Sequence, residues 1–218
     1  MSRKCRNSIV IMSAVCAAAC AGRSARPTTP EDPFQAIGAA PLPIEALAGG
    51  SALLLPVGAL VLGDSAARVP ELVNRRFGLP AEAGAVLDTV LRESARAVRW
   101  MGLAEQRRAL RMAPALGIEP DRLETGYLLG SRVETLSDPL WSQLRTMEGM
   151  TGARMAVAPA GVRIDRRGGS YVATYVLVMA DSRTGKLLWR GRVDGAPAAT
   201  PEAALRNAAA AAVPGAAH

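Results

Sequence analysis

Residues 153–193 read ARMAVAPAGVRIDRRGGSYVATYVLVMADSRTGKLLWRGRV, and three runs within them have the composition of β-strands. Side chains of a strand alternate, so from Tyr171 to Ala180 Val172, Thr174, Val176 and Val178 share one face and Tyr171, Ala173, Tyr175, Leu177 and Met179 the other. Both faces are apolar, which predicts a strand inside a sheet covered on both sides. From Lys186 to Val193 the alternation sends Leu187, Trp189 and Val193 one way and Leu188, Arg190 and Arg192 the other, so this strand is expected nearer an edge. Asp181-Ser182-Arg183-Thr184-Gly185-Lys186 joins the two with the polar, glycine-containing composition of a hairpin loop. Ala153 to Asp165 supplies the third strand, in which Pro159 removes a ladder donor and predicts a bulge or an unpaired edge.

The flanking sequence supplies the covering layers. Ser51–Val61 opens with a continuous apolar run, a buried strand that Pro56 should end or bulge. Pro80–Val98 carries Val86, Leu87, Val90, Leu91, Ala95 and Val98 at helical spacing. A short strand at Val98–Met101 and a helix at Leu103–Met112 follow, and no period is sustained from Ala115 to Thr135. Ser137-Asp138-Pro139 and Thr200-Pro201-Glu202 are two helix starts with a cap and an early proline. The fold class expected is α/β (α+β), a single domain at 51–213 with a mixed sheet of about four to five strands and three to four helices. Leu54, Val90, Leu91, Val157, Val176, Val178 and Trp189 are its expected core, and 214–218 a disordered tail.

The amino-terminal residues read as an export signal. Arg3-Lys4-Cys5-Arg6, the apolar Ile9–Met12 and an alanine run to Ala19 have the charged, apolar and small-residue regions of a signal peptide, 1–19, too short to span a bilayer comfortably. Ala17-Ala18-Ala19-Cys20 is similar to a bacterial lipobox, with Cys20 as the lipidated residue, although lipoboxes usually carry Leu or a similar residue where this chain has Ala17. Ala17-x-Ala19 also suits ordinary signal peptidase, which would release a soluble periplasmic or secreted protein. Ala21 and Gly22 follow Cys20 in place of the Asp that usually marks inner-membrane retention, so the resemblance implies the periplasmic face of the outer membrane. Residues 20–50, with Pro27, Pro30, Pro33, Pro41 and Pro43, read as a flexible linker.

Composition excludes several chemistries. Cys5, Cys16 and Cys20 are the only cysteines and His218 the only histidine, so residues 21–217 hold no thiol nucleophile, thiolate metal site or histidine base. No catalytic residue, metal site or cofactor is therefore assigned. Gly185-Lys186 is not a phosphate loop, because Ala180 stands where the first glycine is required and Leu187 where Ser or Thr should be. The formal charge is +7, and without Arg3, Lys4 and Arg6 it is 23 − 19 = +4. That is mildly basic, compatible with anionic lipid and a weak argument for nucleic acid. Arg107, Arg108 and Arg111 cluster on one predicted helix and Arg190 and Arg192 on one predicted strand; these five are the candidate interaction surface, with a solvated helix face as the plainer reading of the first three.

The order strand, helix, short strand, helix, irregular segment, helix, three strands, helix, with Ala48-Gly49-Gly50 leading into Ala52-Leu53-Leu54-Leu55-Pro56-Val57 and the hairpin Asp181-x-x-Thr184-Gly185-x-x-x-Trp189, resembles a group of bacterial envelope lipoproteins. Their domain looks like the amino-terminal α/β domain of the translocation protein TolB, shared with curli-secretion channel subunits and penicillin-binding-protein activator lipoproteins. The similarity covers Ser51–Val213, its motifs are structural, and no catalytic residues come with it. It implies a non-enzymatic envelope lipoprotein, held to the membrane by its anchor and binding or scaffolding a protein partner, with no nucleic acid and no small-molecule substrate. A subunit of an oligomeric outer-membrane channel of the curli-export type is the alternative, and a secreted hydrolase a third class.

Overall fold

A computed structural model describes residues 32–214. Thirteen-residue β4 (Met155–Arg167) and twelve-residue β5 (Ser170–Asp181) pair antiparallel along their whole length. β6 (Leu187–Asp194) pairs antiparallel with β5. On the other side of β4, β1 (Ser51–Leu54) and β2 (Leu60–Leu62) lie end to end, both parallel to it, and β3 (Arg99–Met101) pairs parallel with β1. The sheet is mixed, as its sequence implied, with six strands in the order β3-β1-β4-β5-β6 and β2 also on β4.

The two prolines break the sheet at the same level. Pro159 has no N–H to give, and the β4–β5 register shifts between Pro159 and Gly161. Opposite this bulge the chain between β1 and β2 leaves the ladder, with Gly58 donating to the Pro159 carbonyl and Thr125 Oγ1 to that of Pro56. Here Gly58 meets Gly126 so closely that a Cβ on Gly58 would lie 2.3 Å from the Gly126 nitrogen, so only glycine fits.

Helices cover both faces, which is why β4 and β5 can be apolar on both. On the first face α3 (Leu79–Ser94) and α6 (Pro201–Ala211) pack on Ala173, Tyr175, Leu177, Met179, Val157, Val162 and Ile164. The alanines of α6 allow close approach, and Gly195 fits beneath Ala208, whose backbone nitrogen would be 2.6 Å from an added Cβ. α2 (Pro70–Arg75) adds Leu72 to this face. On the second face α4 (Leu103–Arg111), α5 (Asp138–Thr151) and the irregular segment between them cover Leu53, Leu55, Ala156, Val176 and Val178. The aperiodic stretch after Ala115 is three single 3₁₀ turns, at Pro114–Leu116, Pro120–Arg122 and Gly126–Leu129, pinned by buried Leu123, Leu128 and Leu136.

Three expectations are corrected. Residues 32–50, expected as the end of a linker, belong to the domain: α1 (Pro33–Ala36) buries Phe34, and Ile37, Leu42 and Leu47 are buried as well. Their backbone is tied as well, with Ala40 donating to Arg192 and Leu42 to Ala212. Proline-rich composition concealed four apolar anchors spaced without a period. Leu187 and Trp189 do not share a face, because the ladder slips at Met179/Ala180 and leaves Leu188 as an extra residue, so Leu187 packs on the second face and Trp189 on the first. Trp189 is consequently half-buried at the rim and not in the core; the other six expected core residues are buried. Ser137 precedes α5 as expected, yet its hydroxyl makes no cap; its N–H instead takes the Tyr127 hydroxyl as acceptor at 2.7 Å.

Candidate interaction surface

The outer edge of β6 is met by two other pieces of backbone. At its start Leu187 donates to Glu134 and Leu136 to Gly185, making an antiparallel bridge between Thr135 and Lys186. At its end Arg192 donates to Gly38 and accepts from Ala40. Antiparallel pairs alternate between bonded and non-bonded, and Val176↔Arg192 and Val178↔Arg190 are two residues apart, so the Arg190 N–H and C=O project outward as those of Arg192 do. The chain's own segments therefore occupy the edge on both sides of Arg190 and leave a gap at it. A groove of about 460 Å³ opens there between residues 131–135 and Lys186–Arg190. Leu188, 48% exposed, lines it.

Arg190 itself is held, since its guanidinium donates to the carbonyls of Ser131 and Val133 at 2.8 and 2.7 Å. Burial lowers its pKa, and its Nε has no partner. Arg192 donates to Asp194 at 3.0 Å and to the Phe34 carbonyl at 3.0 Å. Arg107 forms a bidentate pair with Asp121, which raises its pKa through that hydrogen bond and holds Asp121 below the usual carboxylate range. Arg108 and Arg111 are exposed, beside Met112 at 84% and Leu116 at 44% exposure. The five arginines thus lie in two places, three on α4 next to the β3 edge and two on β6 at the opposite edge. Two serve as internal ties, Arg190 and Arg192, and one is paired across a loop. Cys20 lies outside the described residues.

Ten of the described carboxylates pair with arginine. Asp181 is nearly enclosed, its side chain 5% exposed. Burial by itself would raise its pKa, but hydrogen bonds from Arg154, at 3.0 and 2.6 Å, and from the amides of Thr184 and Arg183 outweigh it, and the carboxyl is held below its ordinary value. The Glu202 carboxyl is held down by its own backbone amide at the start of α6 and by Arg75, which also reaches Glu82. Arg163 joins Asp165 and Asp32, and Arg92 joins Asp88 and Glu105. A general acid needs its pKa raised toward the working pH; the shifts on Asp121, Asp181 and Glu202 run the other way. Among the described residues no group of His, Cys, Asp and Glu could hold a metal ion, and no helix is long and apolar enough to cross a membrane.

Some of this polar framework was visible in the sequence and went unread. Arg163-x-Asp165 and Arg192-x-Asp194 each place an acid and a base two apart, hence on one face of a strand, where they pair at 2.9 and 3.0 Å. Gln106 carried no such signal: it is fully buried and its amide donates to the carbonyls of Leu54 and Met101, joining the ends of β1 and β3.

No family model matches the chain, and no curated protein does. Among solved structures, the chain matches the LpoB C-terminal domain from Escherichia coli at 13% identity over 69% of this chain and 84% of that one, TM-score 0.33. The lipoprotein GNA1162 from Neisseria meningitidis matches at 16% over 66% and 78%, TM-score 0.34. A PelC dodecamer from Paraburkholderia phytofirmans matches at 11% over 79% and 88%, TM-score 0.34.

Proposed function

We propose that the chain is a non-enzymatic lipoprotein of the cell envelope, anchored through Cys20 at the periplasmic face of the outer membrane and acting as a tethered binding or scaffolding module. The observation that carries binding is the interrupted edge of β6: the chain closes it on both sides of Arg190 and leaves one outward N–H and C=O beside an open groove. An exposed edge is a template for an extended segment of another protein. The arginine-bound carboxylates support binding over acid–base chemistry. The test is a photocrosslinking residue placed at Leu188 in the cell envelope, with Gln35 as an exposed control. A discrete adduct from position 188 and none from 35 supports the reading. Loss of a measured turnover on one conservative Asp→Asn change, with folding intact, overturns it in favour of an enzyme.

A further inference from the structure

Between the two segments that meet its edge, β6 leaves a short opening. Leu187 and Arg192, the edge positions already bonded to Glu134 and to Gly38 and Ala40, lie 192 − 187 = 5 residues apart, about 16 Å of strand. A strand passing along the edge would have to leave at both ends, where residues 134–136 and 38–40 stand. A chain that ends at Arg190 leaves at one end only. Its last residue has the two groups that the Arg190 backbone calls for: an amide for the carbonyl and a carboxylate for the N–H, placed as in a bonded antiparallel pair. Charge points the same way. The Arg190 guanidinium has two carbonyls as partners and no carboxylate, and its Nε has no partner. The segments bounding the groove carry Arg132, Arg183, Lys186 and Arg190 against Glu134 and Asp138, none of the six in an ion pair among the described residues, an excess of two positive charges. The next charges outward cancel: Arg154 pairs with Asp181 and Arg192 with Asp194, and α5 adds Arg145 and Glu148. Leu188 and Val133 give the groove an apolar lining.

We propose that the groove beside Arg190 takes the carboxyl-terminal residue of a partner polypeptide, with its carboxylate on the Arg190 amide, close to the charges of Lys186 and Arg190, and an apolar side chain against Leu188. The inference rests on the edge reading of β6 and narrows it from any extended segment to a chain end. Main-chain hydrogen bonds set the register, as in other captures of a chain by a sheet edge, and the cation excess selects a carboxylate over a neutral amide. An internal segment presents only a neutral carbonyl to the Arg190 N–H, and its chain runs on into residues 134–136 or 38–40.

The experiment uses the full chain, purified in detergent, so its outcome is independent of whether Cys20 is lipidated. The probe is a pool of amino-terminally labelled hexapeptides, randomised upstream and ending in Val, Leu, Ile or Phe, made with a free carboxyl end, with that end amidated, and with it extended by three residues. Fluorescence anisotropy reads the binding. The free-carboxyl pool should bind, and amidation or extension should weaken it at least about tenfold, the effect of losing one charge-assisted hydrogen bond. Lys186→Glu, at an exposed position, should weaken it about fivefold, and Arg111→Glu on α4 should leave it unchanged. Bound peptide should slow exchange of the Arg190 amide and leave those of Trp189 and Gly191 as they were. Equal binding of the free, amidated and extended pools would overturn the chain end and leave the edge reading standing. So would no binding of the free pool, or an Arg190 amide that exchanges as fast with peptide as without, if position 188 still gives its adduct in the cell envelope. Neither binding nor adduct would overturn both.

Discussion

Asp181 is the residue whose loss the fold should feel most at a single carboxylate. It closes the β5–β6 turn by accepting from two amides and from Arg154 while almost fully enclosed. Asp181→Asn should cost about 1–3 kcal/mol at neutral pH, as expected when charge-assisted hydrogen bonds in a buried setting are weakened. Because its folded pKa lies below the unfolded value, its contribution is complete above about pH 4 and disappears as the pH falls through the folded pKa. Denaturant melts at pH 7 and pH 3 should therefore show the substitution costing less at the second than at the first. Trp189→Ala should cost about 1–2 kcal/mol, less than the roughly 3–5 of a fully buried ring, because the indole is half-buried over Gly191. Gly185→Ala should be worse than either surface intuition or hairpin composition suggests: the residue is at φ 72°, and an added Cβ would lie 3.1 Å from the Trp141 ring. Alternation of residue types made Val176, Val178 and Val157 legible as core; the half-buried state of Trp189 was not, because it depends on a one-residue slip at Leu188 that leaves no mark in composition.

Elements were read from the sequence wherever their period was long. α3, α5 and the three carboxy-terminal strands fall within a few residues of where apolar spacing put them, and Pro159 marked its bulge because the missing donor is a covalent fact. The second face's cover was not legible, since Leu123, Leu128 and Leu136 are buried singly along an irregular segment with no repeat. Nor was the interruption in the β6 edge, which arises from pairing with Thr135 and Ala39, distant in sequence. That interruption makes its own prediction. In hydrogen exchange the Arg190 amide should exchange faster than those of Trp189 and Gly191, whose N–H groups face β5, by at least about a hundredfold, as expected where only local opening separates protected from free backbone. Comparable protection at all three would place another segment on that edge.

At the scale of the molecule the domain begins earlier than its proline content suggests. A chain starting at Asp32 should melt as residues 21–218 do, whereas one starting at Ser51 loses four buried anchors, Phe34, Ile37, Leu42 and Leu47. At about 1.5–3 kcal/mol for each buried side chain the second truncation should lose more than about 5 kcal/mol, enough to unfold a domain of ordinary stability. The anchor rests on Ala17-Ala18-Ala19-Cys20 alone, residues outside the described ones. The measurement that decides the account is the fractionation and intact mass of wild type and Cys20→Ser made in a bacterium that processes lipoproteins. Wild type in the membrane fraction with an acylated residue 20, released to the soluble fraction by the substitution, is the predicted result. A wild type already soluble, cleaved after Ala19 and carrying an unmodified Cys20, would contradict it.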